Sequence, residues 1–389
     1  MQIGELVREG VISIKTGPFG TQLKAAEYQK SGTPVLNVKN LGYGSVSKAK
    51  LDYVGSETVD RLRIHLLKKG DIVFGRKGAV DRHAYIDYES DGWMQGSDCI
   101  RMRIESNTIN PRFLSYYFLT NKHKAFMISM CSHGTTMASL NQKILEQIEI
   151  PYPERQYQDK VVDMLERFDK KIKVNSEINE NLSNQIQAIY SNTFDPTTHT
   201  PFGVLADICS YSSDRIPVSE LSVSTYFSTE NMQPNKIGSV DATSLPSITQ
   251  TTGCHKGDVL VSNIRPYFKK IVYVKDDCCG CSTDVLCFVP KEDQYSAFLF
   301  GMLYMDCFFD YMVAGSKGTK MPRGDKQQIM NYPVVLPDKE SLDLFNGLVV
   351  PMLDQIATNR VESSRLAALR DALLPKLMSG ELNVSELDL

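Results

Sequence analysis

An internal duplication constrains the fold of this chain more than any other feature of its sequence. The tripeptide Lys69–Asp71 recurs as Lys256–Asp258, and the segment His133–Met137 recurs as Lys317–Met321. The spacing between the copies is 187 for the tripeptide and 184 for the later segment, and the spacing of 184 also relates Pro153 to Pro337, Ile172 to Ile356, Asn175 to Asn359, and Leu182 to Leu366. Solenoid units are only about 20–50 residues long, so a repeat of this length indicates a duplicated domain.

Each copy ends in a run of heptads. From Val161 to Ile189, seam-type residues recur at alternating spacings of four and three, and the equivalent positions of the second copy give a similar pattern from Phe345 to Leu373. This pattern predicts a coiled-coil seam. The natural partner of each helix is the other, although two amphipathic helices in separate cores would show the same periodicity. The predicted seam comprises Leu165, Phe168, Ile172, Asn175, Leu182, Ile356, Asn359, Leu366 and Leu373.

A proline interrupts the second heptad run at Pro351. Proline removes a helical hydrogen bond and clashes with the preceding turn, so Pro351 is expected to kink this helix or to mark its start. Asn175 and Asn359 place amides in the predicted seam, where polar residues lower stability but set the register. A helix of about 40 residues would extend roughly 60 Å.

The bulk composition narrows the class of protein. The 389 residues are 42% hydrophobic and 23% charged, as in soluble globular proteins. The formal net charge of −3 argues against a protein that coats nucleic acid without specificity. No apolar run approaches the ~20 residues of a membrane helix, and the start of the chain lacks the layout of a signal peptide. We therefore expect a cytoplasmic protein with no membrane partner.

Nine cysteines are present, at irregular spacings. An odd number argues against a complete disulfide framework. Cys278, Cys279, Cys281 and Cys287 cluster downstream of Cys254-His255, which leaves a metal site as an alternative. Zinc ligands usually form two separate pairs with two to four residues between ligands, so we predict reduced thiols and no bound metal.

The segments that precede each heptad run are predicted to form mixed α/β domains. Val35–Val38, Ile72–Phe74 and Ile100–Ile104 are predicted strands bounded by turn residues. Pro111 opens a predicted helix, and Ser139–Gln142 has the layout of a capping box. We therefore expect an α+β chain, with mixed α/β globular domains at residues 1–153 and 196–338, long helices at 154–195 and 339–378, and a tail at 379–389.

In both copies the Gly-Asp turn leads into a strand, a basic tip and a second strand. The first tip, Gly75–His83, carries a charge of +2, and the second tip, Ser262–Lys270, carries +3. Arginine and asparagine can bind bases bidentately, and lysine commonly holds phosphate. A solvated hairpin with ordinary surface charge is the alternative. The candidate nucleic-acid contacts on the tips are Arg76, Lys77, Arg82, Asn263, Arg265, Lys269 and Lys270.

The repeated segments His133–Met137 and Lys317–Met321, which we call the Gly-Thr loops, precede predicted helix starts. Backbone N–H groups at a helix N-terminus suit phosphate, although the same residues also serve ordinary turns. The candidate contacts on these loops are His133, Thr135, Thr136, Lys317, Thr319 and Lys320.

Motifs of catalysis are not found in the sequence. It contains no Gly-x-x-x-x-Gly-Lys-Ser/Thr loop for ATP and no Gly-x-Gly-x-x-Gly for a nucleotide cofactor. The six histidines are scattered, and most of them are expected at the surface or in turns. We therefore predict no catalytic residues.

A set of motifs follows in a fixed order along the whole chain, namely Gly17–Gly20, Pro34–Val38, Gly70–Phe74 with Gly78, Ile150–Gln156, Leu165–Ile172 and Leu373–Leu382. With these motifs, the chain resembles the specificity subunit of type I DNA restriction–modification enzymes. No single motif decides the resemblance, which depends on their order, the duplication and the chain length.

The resemblance implies a noncatalytic reader of double-stranded DNA. Each globular domain would be a target recognition domain for one half of a bipartite site, and the two helices would pair antiparallel to fix the gap between half-sites. Two methyltransferase subunits would bind S-adenosylmethionine and methylate adenine, and motor–nuclease restriction subunits would use ATP and Mg²⁺. The chain itself would carry no cofactor. The second domain departs from the family pattern around residues 210–250.

Three alternatives remain open at this stage. The first is a specificity subunit of a methylation-only or other phage-defence complex. The second is an enzyme with a Cys/His metal site between Cys254 and Cys287. The third is a structural coiled-coil scaffold, which would not depend on Arg76 or Arg265.

Overall fold

The chain divides into two compact units. The computed structural model describes residues 1–18, 20, 22–131, 138–194, 202–382 and 384. The first unit contains Met1–Lys170 and the segment from Ala367 onward, and the second unit contains Lys171–Leu366. Each of the two long helices therefore contributes one stretch to each unit.

The first unit is built from short strands and helices that lead into a long helix. Its elements are α1 (Ile3–Arg8), β1 (Ile12–Thr16), β2 (Tyr28–Gln29), β3 (Thr33–Leu36), β4 (Asp52–Val54), α2 (Ser56–Arg61), β5 (Ile72–Gly75), β6 (His83–Tyr85), β7 (Met94–Gln95), β8 (Cys99–Ile104), α3 (Pro111–Tyr117), α4 (Asn121–Cys131), α5 (Gln142–Glu146) and the start of α6 (Arg155–Thr193).

The second unit repeats this plan and leads into the second long helix. Its further elements are β9 (Phe202–Val204), α7 (Leu205–Ile208), β10 (Cys209–Tyr211), β11 (Arg215–Pro217), β12 (Tyr226–Phe227), β13 (Met232–Gln233), β14 (Gly238–Ser239), β15 (Gln250–Cys254), β16 (Val259–Ser262), β17 (Ile271–Tyr273), β18 (Cys279–Cys281), β19 (Val285–Pro290), α8 (Ser296–Leu303), α9 (Asp306–Ala314), α10 (Lys326–Met330), β20 (Pro333–Val335) and α11 (Lys339–Ser379).

One antiparallel sheet has the same strand order in both units. It runs β1-β8-β5-β6 in the first unit and β10-β19-β16-β17 in the second. Ile72 pairs with Tyr85 in the first sheet, and Val259 pairs with Tyr273 in the second, so the register is also equivalent. These central strands are buried and rich in β-branched residues, which suits a covered sheet. The duplication in sequence is therefore a duplication in fold.

A second sheet differs between the units. Its order is β2-β4-β3-β7 in the first unit and β11-β15-β18-β12 in the second. A parallel pair closes each sheet, β3 with β7 and β12 with β18. The strand of this pair that comes first in the chain is internal in the first unit (β3) and at the edge in the second (β12). This rearrangement lies around the segment 210–250, where the two copies diverge in sequence.

The two long helices pair antiparallel within each unit. In the second unit, the Asn175 amide donates to Glu362 at 2.8 Å and the Asn359 amide donates to Asn179 at 2.8 Å, so rising numbers on α6 meet falling numbers on α11. In the first unit, the Tyr157 hydroxyl donates to the Leu377 carbonyl at 2.9 Å, while Arg370 donates to Asp169 at 2.7 Å. The predicted fold class, mixed α/β domains with an antiparallel helix pair, is confirmed.

Most of the predicted seam residues are shielded from solvent. Leu165, Phe168, Asn175, Ile356 and Asn359 are buried. The remaining four are partly buried, namely Ile172, Leu182, Leu366 and Leu373. The paired asparagines form side-chain hydrogen bonds between the helices, and such bonds favour one register over its neighbours.

Of the two outcomes expected for Pro351, a kink in the second helix or the start of that helix, the structure excludes the start. Helix α11 begins well before Pro351, at Lys339, and continues through it to Ser379. Pro351 lies on the exposed face, and the residue four positions before it is the exposed Gly347. The Gly347 carbonyl, which has no N–H donor at Pro351, is therefore open to solvent, and this lowers the free-energy cost of a proline inside the helix.

The predicted capping box at Ser139 is also corrected. Helix α5 begins at Gln142, and its cap is Asn141, whose Oδ1 accepts from the Ile144 N–H at 3.0 Å. Ser139 lies in extended backbone and forms a β-bridge with Lys77. A residue engaged in a bridge cannot also cap the helix, so the cap moves two positions along the chain.

The core of the second unit forms where its helices cover the sheet. Phe298 and Leu299 of α8 and Phe308 and Phe309 of α9 are fully buried there, together with Phe345 of α11.

Among the described residues, no single helix has both the length and the apolar composition of a membrane span. One pair of helical segments, Asp293–Leu303 and Asp306–Ala314, has them only when the two are taken together, and this pair is bent by 74°.

Candidate nucleic-acid interface

Three backbone hydrogen bonds hold the first tip, one to Asp98 before β8 and two to the segment that follows the first Gly-Thr loop. The Arg76 N–H donates to the Asp98 carbonyl at 2.8 Å, and the Gly78 N–H donates to the Ala138 carbonyl at 3.0 Å. The Leu140 N–H returns to the Arg76 carbonyl at 2.8 Å. The tip is therefore held by segments that come much later in the chain. His133, Thr135 and Thr136 lie outside the described residues.

The same three bonds recur at equivalent positions in the second unit. The Asn263 N–H donates to the Asp284 carbonyl at 2.9 Å, and the Arg265 N–H donates to the Pro322 carbonyl at 2.8 Å. The Gly324 N–H returns to the Asn263 carbonyl at 3.3 Å. The second tip and the second Gly-Thr loop thus form one surface. We call this arrangement the tip–loop surface, and in the first unit the name covers the tip and the described segment Ala138–Leu140.

The repeated Gly-Asp motif anchors the strand that leads to each tip. Gly70 and Gly257 adopt φ angles of 90° and 96°, which favour glycine. The Asp71 carboxylate accepts from the Lys68 N–H at 2.7 Å, and the Asp258 carboxylate accepts from the His255 N–H at 2.8 Å. Both aspartates are buried, so this part of the repeat is structural.

Two glycines allow the N-terminal motifs of the first unit to approach each other. A Cβ on Gly17 would lie 2.0 Å from the Gly96 carbonyl oxygen, and a Cβ on Gly96 would lie 2.6 Å from the Leu36 oxygen. These distances exclude any larger side chain. The close contact joins the Gly17–Gly20 turn to the Pro34–Val38 segment beside β8. Phe19 lies outside the described residues.

The first tip–loop surface borders an open cleft of about 520 Å³. The Gln142 amide donates to the Thr16 hydroxyl at 3.0 Å and closes one side. Arg76 and Lys143 give this cleft two cations, and it is lined by Thr16, Arg76, Ile100, Asn141, Gln142 and Lys143. Lys77 and Arg82 are exposed on the same tip. The Arg82 guanidinium lies 5.5 Å from the Tyr43 ring centroid, within the range of cation–π contact.

The residues of the second tip that were predicted to contact nucleic acid lie in environments that differ from one another. The Asn263 side chain is 6% exposed and its Oδ1 has no hydrogen-bond partner among the described residues. Arg265 is partly buried, and its backbone adopts a left-handed φ of 51°. The Lys269 ammonium pairs with Asp306 at 3.0 Å, and the Lys270 ammonium donates to the Thr229 carbonyl. Burial lowers the pKa of Lys270.

The second Gly-Thr loop presents the most exposed cations of the second tip–loop surface. Lys317 is 82% exposed and pairs with Asp325 at 2.7 Å, and this hydrogen-bonded carboxylate raises the pKa of Lys317. Thr319 and Lys320 are exposed. Such groups suit contacts to a phosphate backbone better than the partly buried Lys269 and Lys270 do.

The family model for the type I restriction modification DNA specificity domain matches residues 9–184. These residues hold the first repeat and most of α6. Residues 9–184 therefore match the type I restriction modification DNA specificity domain.

Two curated specificity subunits match most of the chain. The HindI specificity subunit from Haemophilus influenzae is 19% identical over 81% of this chain and 87% of its own length. The MjaIX specificity subunit from Methanocaldococcus jannaschii is 23% identical over 94% and 90%. The crystal structure of the S subunit from M. genitalium has a TM-score of 0.58 at 14% identity and covers 97% of this chain and 95% of that one. The predicted resemblance to type I specificity subunits is confirmed.

The structure also places residues that the sequence did not single out. Arg323 lies on the second tip–loop surface, 53% exposed. Three histidines expected at the surface or in turns are instead buried in the first unit, namely His65, His83 and His123. A comparison of the two copies at a spacing of 184 would have paired Arg323 with Ser139 and drawn attention to it.

The left-handed backbone at Arg265 supplies a stability test of the tip. Its equivalent in the first unit is Gly78, with φ of 75°. Because a side chain in this conformation costs roughly 1–2 kcal/mol, Arg265→Gly is expected to be about 1 kcal/mol more stable than Arg265→Ala. Urea unfolding measures the difference, and Gly78→Ala is the matched control, expected to lose about 1–2 kcal/mol. An Arg265→Gly protein less stable than Arg265→Ala would contradict the strain.

Proposed function

We propose that this chain recognises double-stranded DNA for a type I restriction–modification complex. Each unit reads one half of a bipartite site through its tip–loop surface. Partner subunits then methylate adenine in the site or cleave the DNA. The chain supplies recognition and not catalysis, as expected of a specificity subunit.

One observation carries this proposal: the same three hydrogen bonds build the same surface twice, with different side chains at equivalent positions. Arg76 corresponds to Asn263, Gly78 to Arg265 and Ser139 to Arg323. A duplicated scaffold with altered side chains is what two different half-sites require, because backbone geometry positions the reader and side chains read base edges.

Charge supports the same proposal. The chain carries −3 overall, yet the first tip–loop surface contains Arg76, Lys77 and Arg82 and the second contains Lys317 and Lys320. Local cations on an acidic chain favour a reader that shares phosphate contacts with partners. We assign those partners as two methyltransferase subunits with S-adenosylmethionine and restriction subunits with ATP and Mg²⁺. The two paired helices would fix the gap between half-sites.

The alternatives differ in what they require of the structure. Among the described residues, no group of three or more His, Cys, Asp and Glu side chains is placed to hold a metal ion, so the geometry offers the metal-enzyme alternative no support. A scaffold would not require Arg76 or Arg265 for modification. A methylation-only complex uses the same tip–loop surfaces and is separated from restriction by whether a restriction subunit joins the complex.

Coexpression with the cognate adenine methyltransferase subunit tests the function. Methyladenine mapping of the host genome is expected to show a split motif, two short defined half-sites separated by a fixed unspecified spacer. Arg76→Ala is expected to change the first half-site alone. A contiguous motif, or no methylation by an assembled complex, would contradict the proposal.

A further inference from the structure

Arg323 occupies the junction of the second tip–loop surface. Its backbone exchanges two hydrogen bonds with Lys317, at 2.9 and 3.0 Å, and so closes the loop Lys317–Arg323. A further β-bridge joins Arg323 to Ile264 of the tip. The residue is therefore held from both sides while 53% of its side chain stays exposed. An exposed side chain on a fixed backbone is well suited to reading a ligand of defined geometry.

A carboxylate orients the guanidinium. Nη2 of Arg323 donates to Oδ1 of Asp284 at 2.9 Å, and the Asp284 carbonyl accepts the first of the three repeated hydrogen bonds, from Asn263. Asp284 thus links the tip, through its backbone, to Arg323, through its side chain. A guanidinium has five N–H donors, so one bond to Asp284 leaves donors available for another ligand.

The first unit has the same frame without the arginine. Ser139 bridges Lys77 as Arg323 bridges Ile264, and the Asp98 carbonyl accepts from Arg76 as Asp284 accepts from Asn263. Ser139 and Asp98 are both exposed. At this position of the shared frame, the second surface therefore carries a guanidinium where the first carries a short hydroxyl.

We propose that Arg323 determines the specificity of the second unit by binding the major-groove edge of a guanine, with Asp284 as its positioning residue. This inference rests on the proposed function. The planar fork of arginine matches the O6 and N7 acceptors of guanine, whereas lysine binds as a point charge. The neighbouring candidates are less suited to a base edge, since Asn263 is 6% exposed and Lys317 and Lys320 are cations of the phosphate-binding type.

The test uses the assembled methyltransferase complex and the bipartite motif of the wild-type protein. Competition with duplexes substituted at each position of both half-sites gives the base discrimination at that position. Wild type is expected to prefer guanine by about 10- to 100-fold at one position of the second half-site. Arg323→Ser, which installs the residue of the first unit, is expected to reduce that preference to about one.

Two further variants separate base reading from charge and orientation. Arg323→Lys keeps the charge and is expected to lose the discrimination at the same position. Asp284→Asn is expected to reduce it partly at that position and nowhere else. Asp98→Asn is the matched control, because Ser139, the equivalent of Arg323, offers no guanidinium to orient, and it is expected to leave the discrimination in the second half-site unchanged.

Each other outcome decides against the proposal. Discrimination retained at every position by Arg323→Ser or Arg323→Lys would show that another residue reads the base. Loss of binding to every duplex, at an unchanged melting temperature, would assign Arg323 to the phosphate backbone. A wild-type complex without a bipartite motif would instead contradict the proposed function itself.

Discussion

Arg103→Met is expected to destabilise the first unit by about 3–5 kcal/mol, as expected when a buried ion pair loses one partner. The Arg103 guanidinium binds the Asp71 carboxylate through Nε and Nη2, both at 2.7 Å. Asp71 is 1% exposed, so the substitution would leave a carboxylate buried without its main cation. Native-state hydrogen exchange of the β5 and β8 amides measures the loss for this unit directly.

The double variant Asp71→Asn with Arg103→Met is the control for this prediction. The amide oxygen at position 71 can still accept from the Lys68 N–H, as Asp71 does at 2.7 Å, but it carries no charge and so needs no cation beside it. We therefore expect the double variant to recover more than half of the stability that Arg103→Met loses. A loss of less than about 1 kcal/mol for Arg103→Met, the range of an exposed ion pair, would contradict the importance of the buried pair.

The second unit shows another way to accommodate the same buried aspartate. Asp258 occupies the position of Asp71 and accepts from the Cys287 thiol at 3.4 Å. Burial raises the pKa of the Asp258 carboxyl. A raised carboxyl pKa means that the folded state holds the proton more tightly, so this group contributes less stability as the pH rises through its folded pKa.

Acidification is expected to destabilise the first unit through two buried histidines. Burial lowers the pKa of His83 to about 3 and that of His123 to about 4, and nearby Arg112 and Lys124 act in the same direction. Below pH 6.5 both histidines are protonated in the unfolded chain, while in the folded unit they stay neutral until the pH nears their lowered pKa values. The free energy of unfolding is therefore highest above pH 6.5 and decreases as the pH falls. Each histidine changes stability by up to about 1.4 kcal/mol per pH unit. Between pH 6.5 and 4.5 the expected loss is about 3–5 kcal/mol.

Hydrogen exchange between pH 4.5 and 7.5, corrected for intrinsic rates, measures this loss. The β5 and β8 amides of the first unit are expected to lose protection as the pH falls, and the β16 and β19 amides of the second unit are the internal control. The only described histidine of the second unit, His255, is exposed, so that unit should keep its protection. His83→Gln is expected to halve the pH dependence of the first unit, and an unchanged dependence would contradict the role of His83.

The packing around these histidines explains why their burial was not predictable. His83 lies 3.0 Å from the Ser115 hydroxyl, and the Phe118 ring lies 5.7 Å from the His83 ring and 4.6 Å from the His123 ring. His83 is far in the sequence from Ser115, Phe118 and His123. Only the packing of β6 against α3 and α4 brings them together, and a scattered set of histidines in sequence carries no sign of it.

The candidate interface also combines features that could be predicted from the sequence with features that could not. Basic tips and Gly-Thr loops were predicted as separate features because each is a local pattern. Their union in the second unit depends on hydrogen bonds between Arg265 and Pro322 and between Asn263 and Gly324, which join segments far apart in the chain. The environment of each side chain, such as the ion pair between Lys269 and Asp306, is also a result of folding. Which of these residues contact DNA stays a prediction.

The duplication, the two long helices and the resemblance to type I specificity subunits could be predicted from the sequence alone, because repeats and heptads are periodic features that one chain displays along its own length. Helix α11 runs through Pro351, and strand β12 lies at a sheet edge where β3 is internal. Those outcomes, and the position of Arg323 between the tip and the Gly-Thr loop, were decided only by tertiary structure. The physical reason is that they depend on solvent exposure and on long-range hydrogen bonds. Both are properties of the packed chain and not of local sequence.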